Sequence, residues 1–195
     1  MRIDAESLDD RSTYALITSM LIPRPIAWVG TRSGAGVDNL APFSYFMGVS
    51  SRPPLVAISV AHGRNGALKD TARNLLDTRV CTISVGSWSQ LEALHASSAS
   101  FPPEISEFEA LNIPMLPGER VQAPRVAEAK VAFEATLHQT LSLPSTHLFL
   151  LEVIAYHLVE EVLTEGKVDP AKLDPIARLG LAYAPLGPVK LLPRV

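Results

Sequence analysis

The sequence predicts a mainly β protein, an antiparallel sheet closed into a barrel with a few helices between the strands, and three observations carry this reading. Short runs rich in β-branched residues recur along the chain, as at 55–60 and 80–85. From Lys130 onward the hydrophobic period is two, with Val131, Phe133, Ala135 and Leu137 alternating with Lys130, Ala132, Glu134 and Thr136, the pattern of a strand with one buried face. Strands and helices do not alternate regularly, which argues against a doubly wound parallel fold, and closure into a barrel removes exposed sheet edges.

Ser12 is placed to cap a helix running to about Leu21, where Pro23 and Pro25 end it. The apolar runs at 26–29 and 40–47, with Ser33-Gly34-Ala35-Gly36 as turn chemistry between them, read as a β-hairpin. Ala67, Leu68, Ala72, Leu75 and Leu76 fall at helical spacings, so a helix over 66–78 crosses between the strands at 55–60 and 80–85. Residues 90–96 and 104–111 read as further short helices, the second preceded by the stop signal Pro102-Pro103. A strand over 131–141 is followed by one or two more over 147–162, and the last thirty residues are Pro-rich with a basic end.

At 195 residues the chain is expected to form one domain, 1–195, with a sizeable core. Seventeen basic against twenty acidic side chains give a net charge of -3, so no global positive field favours nucleic acid as a partner. Cys81 is the single cysteine, which excludes an intrachain disulfide and any cysteine-based metal site within one subunit, and a reducing cytoplasm fits. The acidic start (Asp4, Glu6, Asp9, Asp10) is unlike a signal peptide, and every apolar run is interrupted before reaching the roughly 18–20 residues of a membrane helix.

Most familiar signatures are absent. Gly34-Ala35-Gly36-Val37-Asp38-Asn39 begins like a dinucleotide-binding loop, but Asn39 replaces the third glycine and a proline-containing strand follows where a helix is required. There is no Walker loop, Gly-x-Ser-x-Gly elbow or His-Glu-x-x-His motif. The five histidines (62, 95, 138, 147, 157) show no helical metal-ligand spacing. Cys81 reads as a small buried hydrophobe, and Glu160-Glu161, adjacent on a strand, would face opposite sides.

Two stretches ask for more than structure. In Asn39-Leu40-Ala41-Pro42-Phe43-Ser44, Pro42 lacks a backbone donor and interrupts the ladder, which leaves neighbouring polar groups available to a ligand. In 62–74, Arg64, Lys69 and Thr71 surround the start of a helix, where unpaired N–H groups and the positive dipole end welcome a phosphate.

Taken in order, Pro23-Arg24-Pro25-Ile26-Ala27-Trp28-Val29-Gly30-Thr31, Asn39-Leu40-Ala41-Pro42-Phe43-Ser44-Tyr45-Phe46, Ser51-x-Pro53-Pro54-Leu55 and Lys69-Asp70-Thr71-x-x-Asn74 resemble the flavin reductase-like, FMN-binding split-barrel family, which includes flavoredoxins. Ile176-Ala177-Arg178-Leu179-Gly180-x-x-Tyr183 follows the same family's pattern. The resemblance implies a six-stranded antiparallel Greek-key barrel with flanking helices, a homodimer, and one FMN per subunit, with FAD as the alternative flavin. Carried over, Thr31, Asn39, Leu40, Ala41 and Pro42 would line the isoalloxazine, with Ser44 close by and the N–H groups of Leu40 and Ala41 as donors. Ser59, Arg64, Lys69 and Thr71 would hold the ribityl phosphate, Asp70 and Asn74 would order the helix start, and Arg178 and Tyr183 would lie near the open face or the partner subunit.

The activity so implied passes a hydride from NAD(P)H to flavin and electrons on to free flavin, ferric iron or a partner. Hydride transfer needs position and donors and no protein acid or base, so no catalytic residue is assigned, and no metal. A tightly bound FMN serving an electron carrier of flavoredoxin type is the alternative, and a non-enzymatic ligand- or partner-binding barrel a second. An open basic groove over the flavin, built from Arg24, Arg32 and Arg178, would mark the nicotinamide-dependent form.

Overall fold

The computed structural model describes residues 1–63 and 65–190. Helix α1 (Asp10–Met20) precedes four strands, β1 (Ala27–Arg32), β2 (Asp38–Phe43), β3 (Phe46–Ser51) and β4 (Pro54–Ala61). Helix α2 (Asp70–Thr78) crosses to β5 (Val80–Val85), followed by α3 (Leu91–Ala96) and α4 (Glu107–Ala110). A short hairpin of β6 (Met115–Leu116) and β7 (Arg125–Val126) leads to the long ribbon of β8 (Val131–Leu143) and β9 (Thr146–Leu158). Two small hairpins complete the described chain, β10 (Leu163–Thr164) with β11 (Lys167–Val168), and, after α5 (Pro170–Leu173), β12 (Ala177–Leu179) with β13 (Ala182–Ala184).

The main sheet is antiparallel throughout and runs β2-β1-β5-β8-β9-β4-β3. Its two edge strands, β2 and β3, are consecutive in the chain, joined only by Ser44 and Tyr45. A two-residue link between opposite edges forces the sheet to curl on itself, and the N–H of Ser59 on β4 donates to the Tyr45 carbonyl at 2.9 Å, extending the β3–β4 ladder to the link. The barrel is therefore split at this point. The expected single strand over 40–47 is two strands, and the sheet has seven strands where the family resemblance implied six.

Strand β1 is buried on both faces. Ala27 and Val29 pack with Ile58, Val60, Leu75 and Phe149 inside the barrel and beneath α2, while Trp28 joins Leu40, Leu94, Phe108 and Ile176 beneath α3 and α4. Gly30 lies where residue 124 crosses β1, and a Cβ there would stand 2.1 Å from the Pro124 carbonyl oxygen.

Helix boundaries differ from expectation for local reasons. Asp9, not Ser12, caps α1, its carboxylate accepting the Ser12 N–H at 2.7 Å. Helix α2 starts at Asp70 because Gly66 (φ 76°) turns the chain before it. Only Glu107–Ala110 of the expected 104–111 helix is helical, and Glu160–Val162 is a 3-10 turn in place of a strand end. Among the described residues, no helix is long and apolar enough to cross a membrane.

Candidate functional site

Strand β2, the start of α2, the segment 97–103 and α4 enclose a cleft of about 560 Å3, within the range that holds small-molecule cofactors. Asn39, Ala41, Pro42, Lys69, Asp70 and Thr71 line it. A second cleft of about 290 Å3 holds Ser44 and Ser59 and shares Pro42, Phe43 and Lys69 with the first. Asn74 faces an adjoining groove together with Asn39 and Asp70.

The first turn of α2 opens on this cleft without a side-chain cap. Lys69 is the N-cap residue, and the first N–H bonded within the helix is that of Arg73, to the Lys69 carbonyl at 3.0 Å. The N–H groups of Asp70, Thr71 and Ala72 are thus the open donors of a helix N-terminus. The Lys69 ammonium is exposed and has no hydrogen-bond or ion-pair partner among the described residues. Asp70 turns to Arg73 instead, the two forming an ion pair.

Behind the cleft a relay of buried amides and hydroxyls locks α2 to the β1–β2 hairpin. Asn39 Nδ2 donates to Thr71 Oγ1 at 3.0 Å, and Asn74 Nδ2 donates to Thr31 Oγ1 at 3.0 Å. Thr31 is fully buried and lines none of these clefts, so it supports the site from behind and does not reach its surface. The Leu40 side chain is equally buried, in the cluster beneath α3 and α4.

Strand β2 departs from expectation in its donors. The Leu40 N–H points outward and donates to Glu107 Oε2 at 2.8 Å. Because N–H groups alternate in direction along an antiparallel strand, that of Ala41 turns toward Val29 on β1. Neither N–H is open to a ligand, which corrects the expected role of Leu40 and Ala41 as donors. Pro42 has the outward orientation of Leu40, so its missing N–H costs the ladder nothing and presents an apolar ring at the sheet edge.

Glu107 lines the cleft at 6 % exposure. Burial pushes its carboxyl above the usual range and neighbouring Asp70 adds to the shift, while the Leu40 N–H opposes it. Nothing in its sequence context distinguishes Glu107 from a surface acid of a short helix. The segment 97–103 and Arg73, whose guanidinium donates to the Leu68 carbonyl at 3.1 Å, are the other site features that sequence reasoning missed.

The expected arginine groove does not form. Arg24 is 7 % exposed, and its guanidinium donates to the carbonyls of Thr18 and Leu21 at the C-terminal end of α1. Arg32 forms a bidentate pair with Asp38 at 2.7 and 3.0 Å. Arg178 lies over the Tyr183 ring at 4.3 Å, and the Tyr183 hydroxyl meets His95 Nδ1 at 3.0 Å. Arg178 and Tyr183 thus form a unit of their own that lines none of the clefts above. Arg64 lies outside the described residues. Cys81 is fully buried as expected, with its thiol pushed up to about 12 by burial. His62 Nε2 and His147 Nδ1, 85 positions apart, meet at 2.9 Å, but no group of three metal-ligating side chains exists among the described residues.

The model of the flavin reductase like domain matches residues 19–183, spanning every element of the cleft. The chain belongs to this family. An uncharacterized protein of Aquifex aeolicus is 35% identical over 184 residues, covering 94% of each chain. Among solved structures, nitrilotriacetate monooxygenase component B from Bacillus cereus superposes with a TM-score of 0.94 at 32% identity, covering 98% of both chains. The 2-nitrobenzoate 2-nitroreductase NbaA of Pseudomonas fluorescens follows at 0.88 and 28%, covering 100% of this chain and 96% of its own. In this protein the uncapped start of α2 lies beside the proline-bearing edge strand β2.

Proposed function

We propose that the protein is an FMN-binding oxidoreductase that passes a hydride from NAD(P)H to the flavin and electrons on to free flavin, ferric iron or a partner. The observation that carries this reading is the uncapped start of α2, with Lys69 unpartnered among the described residues, opening on a cleft of about 560 Å3. A phosphate fits there because three backbone donors, the positive end of the helix and an ammonium converge on it. Thr71 already accepts from Asn39, so its hydroxyl hydrogen is free to donate to the phosphate, and Ser59 and Arg64 are assigned to the same group. Bound flavin supplies a hydride acceptor in the form of its ring.

Ala41 and Pro42 offer that ring a small side chain and a donor-free edge, while Glu107 keeps the Leu40 N–H out of the chemistry. FMN fits this reading, with FAD the larger alternative. The likeness to nitrilotriacetate monooxygenase component B, one component of an oxygenase, supports the partner among these electron acceptors.

A second copy of the chain is the partner we assign. Strand β3 is a sheet edge with Met47 and Val49 exposed, and Tyr14, Met20 and Leu21 of the neighbouring α1 segment are exposed too. An electron carrier of flavoredoxin type is the second reading, favoured by the internal pairing of Arg24 and Arg32, which leaves neither free to draw in a nicotinamide phosphate.

Anaerobic titration of the FMN-loaded protein with NADH and then NADPH, following the visible flavin band, tests the reading. Bleaching by either donor is expected and names the donor. A yellow protein that neither bleaches selects the electron carrier, and failure to load FMN overturns both readings.

A further inference from the structure

At the opposite end of the β8–β9 ribbon from the flavin cleft lies another cleft, of about 400 Å3, which shares no lining residue with those described above. Each strand of the ribbon has 13 residues, a path of roughly 40 Å along the strand at about 3.3 Å per residue. The Ser59 hydroxyl meets that of Thr146 at one end, and the new cleft surrounds Lys130 and Leu158 at the other.

Arg125, Lys130, Tyr156 and His157 supply its polar lining, and none of its lining residues is acidic. The Arg125 Nε is buried and has no hydrogen-bond partner, and the guanidinium pairs with no carboxylate among the described residues. Arg125 is half-buried, and its Nε–H, shielded from water without an acceptor, is a donor whose cost an anion would offset. Lys130 uses one ammonium hydrogen on the Lys172 carbonyl, which fixes its direction and leaves two donors.

The walls are rigid. His157 Nε2 is 2.6 Å from Glu134 Oε1, and the Glu134 carboxylate also accepts the N–H groups of Glu119, Arg120 and Val121 at 2.7 to 2.9 Å. The hydrogen bonds of Glu134 all go to this cage, and Glu134 is not among the residues that line the cleft. Glu119 stands 3.8 Å from His157 Nδ1 and is 71% exposed.

We propose that this cleft is a second ligand site, for a small oxyanion, carboxylate or phosphate, held by Arg125 with Lys130. Anions that present two oxygens match the guanidinium fork, and the placement of Arg125 on β7 supplies the preorganisation such a site needs. The proposal is independent of flavin binding.

The shielded Arg125 Nε–H gives a direct reporter. Proton–nitrogen correlation spectra of the purified protein, titrated separately with inorganic phosphate, acetate and chloride at constant ionic strength, should show a saturable shift of that signal and of the 125–130 amides. Phosphate alone, acetate alone or both acting assigns the oxyanion class. Arg125→Gln should weaken the response of the 125–130 amides about tenfold, and Lys130→Gln should weaken it less while leaving Arg125 visible. Phosphate binding at the start of α2 shifts the 69–72 amides instead and is read separately. Shifts confined to 69–72, or a non-saturating response equal in chloride, would overturn the proposal.

Discussion

Glu107 accepts the backbone N–H of Leu40 at 2.8 Å, closing the one outward donor that strand β2 would otherwise present to the cleft. The contact spans 67 positions of sequence and makes a four-residue helix part of the site. Replacing the carboxyl with a methyl should leave a buried N–H unpaired. Glu107→Ala is expected to lower unfolding free energy by about 1–3 kcal/mol, read by urea denaturation, whereas Glu107→Gln keeps an acceptor and should lie near wild type.

The Lys69 ammonium contributes a charge and makes no hydrogen bond or ion pair among the described residues. Its removal should therefore spare stability and weaken flavin binding. For Lys69→Ala the expected loss is about 1–3 kcal/mol in FMN affinity, measured by quenching of flavin fluorescence, with the thermal midpoint of the flavin-free protein unchanged. An unaltered dissociation constant would remove Lys69 from the phosphate site.

At Gly30 the constraint is steric. A methyl group 2.1 Å from a backbone carbonyl cannot be accommodated by a rotamer change, because both atoms belong to main chain or Cβ. Gly30→Ala should cost about 3 kcal/mol or more, at or beyond the usual range for overpacking, and lower the thermal unfolding midpoint accordingly.

Glu134 makes stability depend on pH. Burial alone would raise its carboxyl, but the Glu119 N–H, His157 and the N–H groups of Arg120 and Val121 outweigh burial and hold it below the ordinary value of 4.5. A carboxyl depressed in the folded state contributes stability that is present above its unfolded value and is lost as pH falls through the folded one. Wild-type stability should therefore decline below about pH 4.5, and Glu134→Gln should flatten that limb in urea titrations across pH while being less stable at neutral pH.

The sequence by itself determined what depends on neighbours along the chain. The strands over 55–60, 80–85 and 131–141, the α2 helix and the turn at 33–36 all followed from local period and turn chemistry, as did the Asn39–Pro42 and Lys69–Thr71 segments that meet at the cleft. Tertiary structure decided which polar groups remain free. The outward N–H of Leu40 went to Glu107, the charge of Arg24 to the end of α1, and that of Arg32 to Asp38. A buried donor or charge must find a partner wherever the fold brings one, and hydrophobic periodicity carries no record of partners dozens of positions away. The run at 40–47 became two strands on opposite sheet edges for a related reason, since only closure of the barrel places β2 and β3 at opposite sides of the split.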